Sequence, residues 1–186
     1  LTVTDGTLDL GTNSASAEIG GNLTIESAGT FLKGSSLTFT GSGDINDKTT
    51  ASQDLGNVTI GGTSTIRTLQ NNVKMTGLTV NSGCIFVLNG KNLSFSSSAA
   101  AVNNGTIRLN GNETLTNVTS LDTDSGTVEY EGDGDATSDE YDIAKFGATT
   151  SYYDLIINDL STTKDTFKSS TAVAINGSLT IISGTF

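Results

Sequence analysis

The densest run of groups able to do chemistry lies between Asp122 and Asp142, where nine carboxylates fall within 21 residues, Asp133-Gly134-Asp135 and Asp139-Glu140 being the most concentrated part. Carboxylate oxygens on a glycine-containing loop are the ligands that calcium takes. The EF-hand frame counted from Asp133 nevertheless fails, since Ser138 stands where glycine is required and Ala144 where the bidentate glutamate belongs. Asp133, Asp135 and Asp139 therefore read as part of a solvated acidic loop, with calcium as the ion they would take if any. A second chemistry is asparagine modification. Asn-x-Ser/Thr triplets begin at Asn22, Asn57, Asn92, Asn104, Asn112, Asn117 and Asn176, and with no proline in the chain none is blocked. They are candidate N-glycosylation sites, conditional on a source that modifies such triplets.

Catalysis has little to draw on. There is no histidine, so the Ser-His-Asp triad, the Cys-His pair and the usual His-bearing zinc site all lack their imidazole. The lone Cys84 cannot form an internal disulfide, and it replaces the threonine of a Gly-Thr turn seen at Thr7, Thr30 and Thr185, which reads as packing rather than as a reactive thiol. The two arginines, Arg67 and Arg108, stand in alternating strand phrases and read as outward, solvated side chains. A formal charge of −11, with nine basic residues, argues against nucleic acid and against anionic polyuronates. No window approaches the roughly 18 apolar residues of a spanning helix, so membrane insertion is not expected. We expect no enzyme.

The elements that position these groups are strands. Leu1/Val3, Leu37/Phe39 and Ile107/Leu109 alternate with polar partners at period two, and nowhere do apolar residues recur at helical spacing. Thr, Ser, Asn and Gly make up 91 of 186 residues, so apolar side chains are rationed by position. The phrase Leu1-Thr2-Val3-Thr4-Asp5-Gly6-Thr7 returns at Leu23–Phe31, Leu78–Ile85 and Leu179–Phe186. Its glycine, followed through looser matches, falls at Gly6, Gly29, Gly62, Gly83, Gly105, Gly126 and Gly184, with several gaps of 21 to 23. Longer echoes relate Ser36–Asp44 to Thr127–Asp135 and Asn57–Ile60 to Asp154–Ile157, giving about two copies of a unit of some 90–100 residues.

Such a period favours an all-β parallel β-solenoid, a right-handed β-helix of about seven or eight rungs, because stacked rungs return the same turn residue and the same inward pair. A β-sandwich is the alternative. Residues 42–56 and 131–152 interrupt the period and are expected to be longer loop excursions. The whole chain, 1–186, reads as one solenoid segment. Inward columns should bury Leu23, Leu37, Val58, Leu78, Leu93, Ile107, Val128 and Leu179.

Gly21-Asn22-Leu23-Thr24-Ile25, Gly6–Gly11, Tyr153–Asp159 and Asn176–Ile181 resemble the repeat regions of large prokaryotic surface proteins, filamentous-haemagglutinin-like and adhesin-like, which are right-handed parallel β-helices of the pectin-lyase-like type. That resemblance implies a non-enzymatic structural component of an extracellular or cell-surface fibre or stalk, and it maps no catalytic residue. Two alternatives remain open. One is a glycan- or ice-binding module using outward Thr2, Thr4, Thr24, Thr38, Thr40, Thr59, Thr79 and Thr180; the other is a polysaccharide-degrading β-helix enzyme. Both chain ends fall in mid-phrase, so the expected partners are like subunits or further repeats, end to end, with surface glycans as a further candidate.

Overall fold

A computed structural model describes residues 1–147 and 150–186; Ala148 and Thr149, inside the second interruption of the period, lie outside the described residues. Among the described residues there is no helix. Rung 1 holds β1 (Thr2–Asp9) and β2 (Ser16–Ile19), rung 2 holds β3 (Leu23–Leu32) and β4 (Ser36–Phe39), and rung 3 holds β5 (Gly43–Asp47) and β6 (Asn57–Ile60). Rung 4 is β7 (Ile66–Leu69), β8 (Val73–Met75) and β9 (Gly77–Val80); rung 5 is β10 (Ile85–Val87) and β11 (Leu93–Asn103). Rung 6 is β12 (Thr106–Leu109) and β13 (Leu115–Leu121), and rung 7 is β14 (Thr127–Tyr130), β15 (Glu140–Asp142) and β16 (Thr150–Tyr152). Rung 8 is β17 (Asp154–Asn158), β18 (Thr166–Lys168) and β19 (Val173–Ile175), and β20 (Leu179–Ser183) opens a ninth.

Every pairing is parallel. The fold is thus a parallel β-solenoid of about eight rungs. Its first face is a nine-stranded sheet in the order β1-β3-β5-β7-β10-β12-β14-β17-β20. At about 4.8 Å per strand this sheet is roughly 38 Å long. The second face uses the later parts of β1 and β3, then β8 and the start of β11; the third runs β2-β4-β6-β9-β11-β13. The pairs β15–β18 and β16–β19 take these two faces into the last rungs.

Stacking sorts the side chains. On the first face Ile45 lies opposite Leu69, and Leu109 opposite Tyr130 opposite Ile157. On the third, Leu37, Val58 and Leu78 form one inward column and Phe39, Ile60 and Val80 the next. Each such side chain is buried, which contributes about 1.5–3 kcal/mol for a fully buried Leu, Ile or Phe. Seven of the eight expected column residues are buried. Leu179 is the exception at 43% exposed, because it lies on β20 and no rung beyond covers it. The correction for Arg67 is larger: it points inward and is fully buried, whereas its neighbour Ile66 faces out.

Strand partners are 19 to 27 residues apart, from Ile66 opposite Ile85 to Val128 opposite Leu155, and the corners absorb the difference. The irregular glycine gaps have the same origin. Gly6 pairs with Gly29 where the first face bends into the second, while Gly62, Gly83, Gly105 and Gly126 sit where the third bends into the first. The recurring phrase accordingly falls on two faces: Leu1 and Leu23 belong to the first, Leu78 to the third. The two longer echoes likewise step from the third face (β4, β6) to the first (β14, β17). Of the two interruptions, 42–56 supplies β5 and then a strandless segment up to the lone bridge of Asp54 with Lys74, and 131–152 loops out before β15. Charge is uneven along the axis. Residues 119–186 hold 12 carboxylates against three lysines, a net −9, and residues 1–118 a net −2.

Candidate functional site

The acidic loop between β14 and β15 brings Asp133, Asp135 and Asp139 together, with one carboxylate oxygen of each within 4.8 Å of the others. Their lone pairs are partly used by the loop. Asp133 Oδ1 accepts the Asp135 N–H at 3.1 Å and Asp135 Oδ1 the Thr137 N–H at 2.6 Å, the short Asx turns that this Asp-x-Asp-x-Thr spacing favours. Beneath it lie two buried carboxylates that sequence reasoning missed, Asp159 and Asp165. Asp159 accepts the N–H groups of Ser161 at 2.8 Å and Asp165 at 2.7 Å. Asp165 accepts the Ser161 hydroxyl at 2.8 Å and the Asp139 N–H at 2.9 Å. Backbone bonds from Leu160 to Glu131 and from Thr162 to Asp135 complete the seam. The only sequence signal for this pair was Asp159-x-Ser161 with a second aspartate four residues on. The arrangement anchors the loop of rung 7 to rung 8, and the three outer carboxylates are the ones that could hold a hard cation.

Aromatic groups fill the interior next to this loop. The Tyr130 and Tyr152 hydroxyls are 2.9 Å apart and both donate to the Ile143 carbonyl. Burial raises both phenols well above the usual tyrosine range. Tyr141 is raised too, by burial first and then by its contact with Asp133.

On the outer side of the first face, Arg108 Nε donates to Glu129 at 2.8 Å and approaches Glu131 at 3.4 Å, while Asn158 Nδ2 donates to Glu129 at 2.8 Å. Burial pushes Glu131 up against the pull of Arg108, and the Glu129 charge adds to the rise. The network ties Arg108 on rung 6 to Glu129 and Glu131 on rung 7, and Asn158 on rung 8 to Glu129. Arg108 faces outward as expected.

All seven triplet asparagines are exposed. Several also join rungs at the corners: the Asn22 Oδ1 accepts the Asp44 N–H at 3.0 Å, and the Asn92 Oδ1 accepts the Thr114 N–H at 2.8 Å. The Nδ2 atoms of Asn117 and Asn176 donate to the Phe95 and Thr123 carbonyls, at 3.0 and 3.2 Å. Asn57 Nδ2 reaches the Ser35 carbonyl at 3.5 Å. Cys84 is buried, its thiol 3.5 Å from the Gly62 carbonyl.

The third face carries a shallow groove of about 420 Å³. Gly77, Ala99 and Ala100 line it together with Thr59 and Thr79, which continue a rank from Thr38 aligned by strand register. Next to that rank run Ser36, Asn57 and Gly77, so the array is one threonine wide. No titratable side chain lines the groove. No protein-family model, no curated protein and no solved structure matches this chain.

Proposed function

We propose that this chain is a structural, non-enzymatic segment of an extracellular fibre, stalk or adhesin on a prokaryotic cell surface, and that its task is to carry length and resist unfolding. The observation that carries this reading is the unbroken nine-stranded parallel sheet over one continuous core. A rod whose every rung is hydrogen-bonded to the next is suited to transmit load along its axis. The exposed Leu179 and Ile181 of β20 add to it, since they stand in the inward columns of Leu155 and Ile157 and a further rung or a like subunit set on that strand would bury them.

Sedimentation with electron microscopy of the 186-residue chain tests the reading, together with incubation on pectin, alginate, chitin and peptidoglycan. We expect rods that lengthen in steps of about 40 Å as concentration rises, and no released oligosaccharide. A dispersed monomer at every concentration, with the last rung folded, would remove the end-to-end contact; reproducible release of oligosaccharide would overturn the structural role itself. Glycan binding is the second reading, and the groove beside the threonine rank is the observation that favours it.

A further inference from the structure

A solenoid is held together by contacts between neighbouring rungs, so its stability is approximately a sum of nearest-neighbour terms and it can fray rung by rung. All strand pairings along the first face obey this rule. Three side chains do not: Asn176, whose Nδ2 donates from the end of rung 8 to the Thr123 carbonyl at the end of rung 6 at 3.2 Å on the exposed surface, and, within rungs 1 to 4, Arg67 and Lys33.

Arg67, on β7 of rung 4, lies in register with Gly43 of rung 3. Gly43 has no side chain, and a Cβ added there would come within 3.1 Å of the Arg67 Nη1. The guanidinium passes through this gap. Its Nη1 donates to the Gly21 carbonyl at 2.7 Å and its Nη2 to the Ile19 carbonyl at 3.1 Å, at the corner between rungs 1 and 2. The group also stacks on the Phe39 ring of rung 2, 4.4 Å from its centroid. Arg67 is fully buried and, among the described residues, makes no ion pair with a carboxylate. On the outside, Lys33 of rung 2 repeats the reach: its Nζ pairs with Asp54 of rung 3 at 2.5 Å and donates to the Thr76 hydroxyl of rung 4 at 2.8 Å.

We propose that Arg67 within the core and Lys33 on the surface are longitudinal staples that skip a rung, and that they make rungs 1 to 4 open as one cooperative block. A buried cation held by two carbonyls and an aromatic face is a poor source of net stability, and an apolar residue of similar size often does as well or better. Its specific effect is coupling. Carbonyls at the corner of rungs 1 and 2 lose their partners when rung 4 opens, and the guanidinium loses its partners when that corner opens.

The test is native-state hydrogen exchange of the 186-residue chain in increasing urea. In the parent protein the amides of residues 16–39 and 66–69 should share one opening, with the same urea dependence. In Arg67→Leu, protection of residues 16–39 should fall at least tenfold below that of 66–69 in the same molecule, and Arg67→Lys should give a smaller separation. Residues 106–130 serve as the internal reference and should keep their protection. The proposal is overturned if residues 16–39 open separately in the parent, or if the two segments stay locked together in Arg67→Leu. Should that variant fail to fold, the parent measurement decides alone.

Discussion

Gly83 and Gly126 occupy the same kind of corner two rungs apart, with φ of +76° and +78°, and differ in what surrounds them. A Cβ at Gly83 meets nothing within 4 Å, whereas one at Gly126 would fall more than 1 Å inside the 3.0 Å that real Cβ atoms keep from a neighbour, against the Asn103 carbonyl oxygen. Gly83→Ala therefore carries the left-handed backbone cost alone, about 1–2 kcal/mol. Gly126→Ala carries that cost and must also push the corner off rung 5. The shift strains the Thr127 N–H bond to the Gly105 carbonyl at 2.8 Å and the Asn103 Nδ2 bond to the Thr127 carbonyl at 2.9 Å. Overpacking of this kind adds about 1–3 kcal/mol, for a total of about 2–5 kcal/mol. Urea unfolding followed by circular dichroism, with the slope checked for constancy, reads both variants. If the two substitutions cost the same within about 0.5 kcal/mol, the rung contact at Gly126 is not what requires glycine there, and the stacking argument fails.

Stability should peak on the acid side of neutrality, as read by melting temperature against pH. Burial raises the Asp122 and Glu131 carboxyls above their ordinary 3.8 and 4.5, so their contribution is greatest below those values and is lost as pH rises through the higher folded pKa. For Asp54 and Asp142 burial acts upward but is outweighed, by Lys33 and by Ser170 with the Ala144 N–H, so both lie below 3.8 and their contribution is lost as pH falls through the lower folded pKa. Acidification toward 4.5 should thus raise the melting temperature and acidification below 3.8 should lower it; a monotonic rise with pH would contradict these assignments. In alkaline titration at 295 nm, Tyr130, Tyr141 and Tyr152 should ionise only as the chain unfolds, because burial leads the rise of all three above 10.0. A fully reversible titration of these three tyrosines near pH 10 in the folded protein would sink this.

Much of the architecture is legible in the alternation of single strands. Leu37 and Phe39, or Ile107 and Leu109, alternate with polar residues in only one phase, and that phase is the buried one. Thr65-Ile66-Arg67-Thr68-Leu69 is different, because Ile66 and Leu69 are three apart and cannot share a face of a strand. Local pattern leaves the choice open, and the decision comes from residues 24 and 46 positions away, where Gly43 and Gly21 leave room and a carbonyl for the guanidinium. Leu179 shows the same dependence on a neighbouring rung, having an inward phase but nothing stacked beyond it. The Gly-Thr turns mark corners correctly but carry no information on which corner of a three-faced coil they make. For the acidic loop, Asp133, Asp135 and Asp139 could be picked out by density of charge. Asp159 and Asp165 could not, since their bonds to Ser161 and to each other's segment form an ordinary-looking local turn, and what marks them, burial under the loop of rung 7 with the Asp139 N–H on Asp165, comes from a residue 26 positions away.

The tolerance of the corners sets how a gene for this rod can change length. A one-residue insertion inside β12 would turn Leu109 outward and put a polar residue into its column, whereas an insertion at a corner only lengthens a connection whose span already varies between neighbouring rungs. Duplication or loss of about 21 residues in frame would leave every column continuous. Recombination between copies would thus change reach in increments of one strand spacing, about 4.8 Å, and leave the chemistry of the flanks as it was. Arg67 limits where such events are neutral: a rung added or removed between β3 and β7 would leave its guanidinium short of, or beyond, the carbonyls at Ile19 and Gly21. Variation in length is therefore expected to concentrate after rung 4.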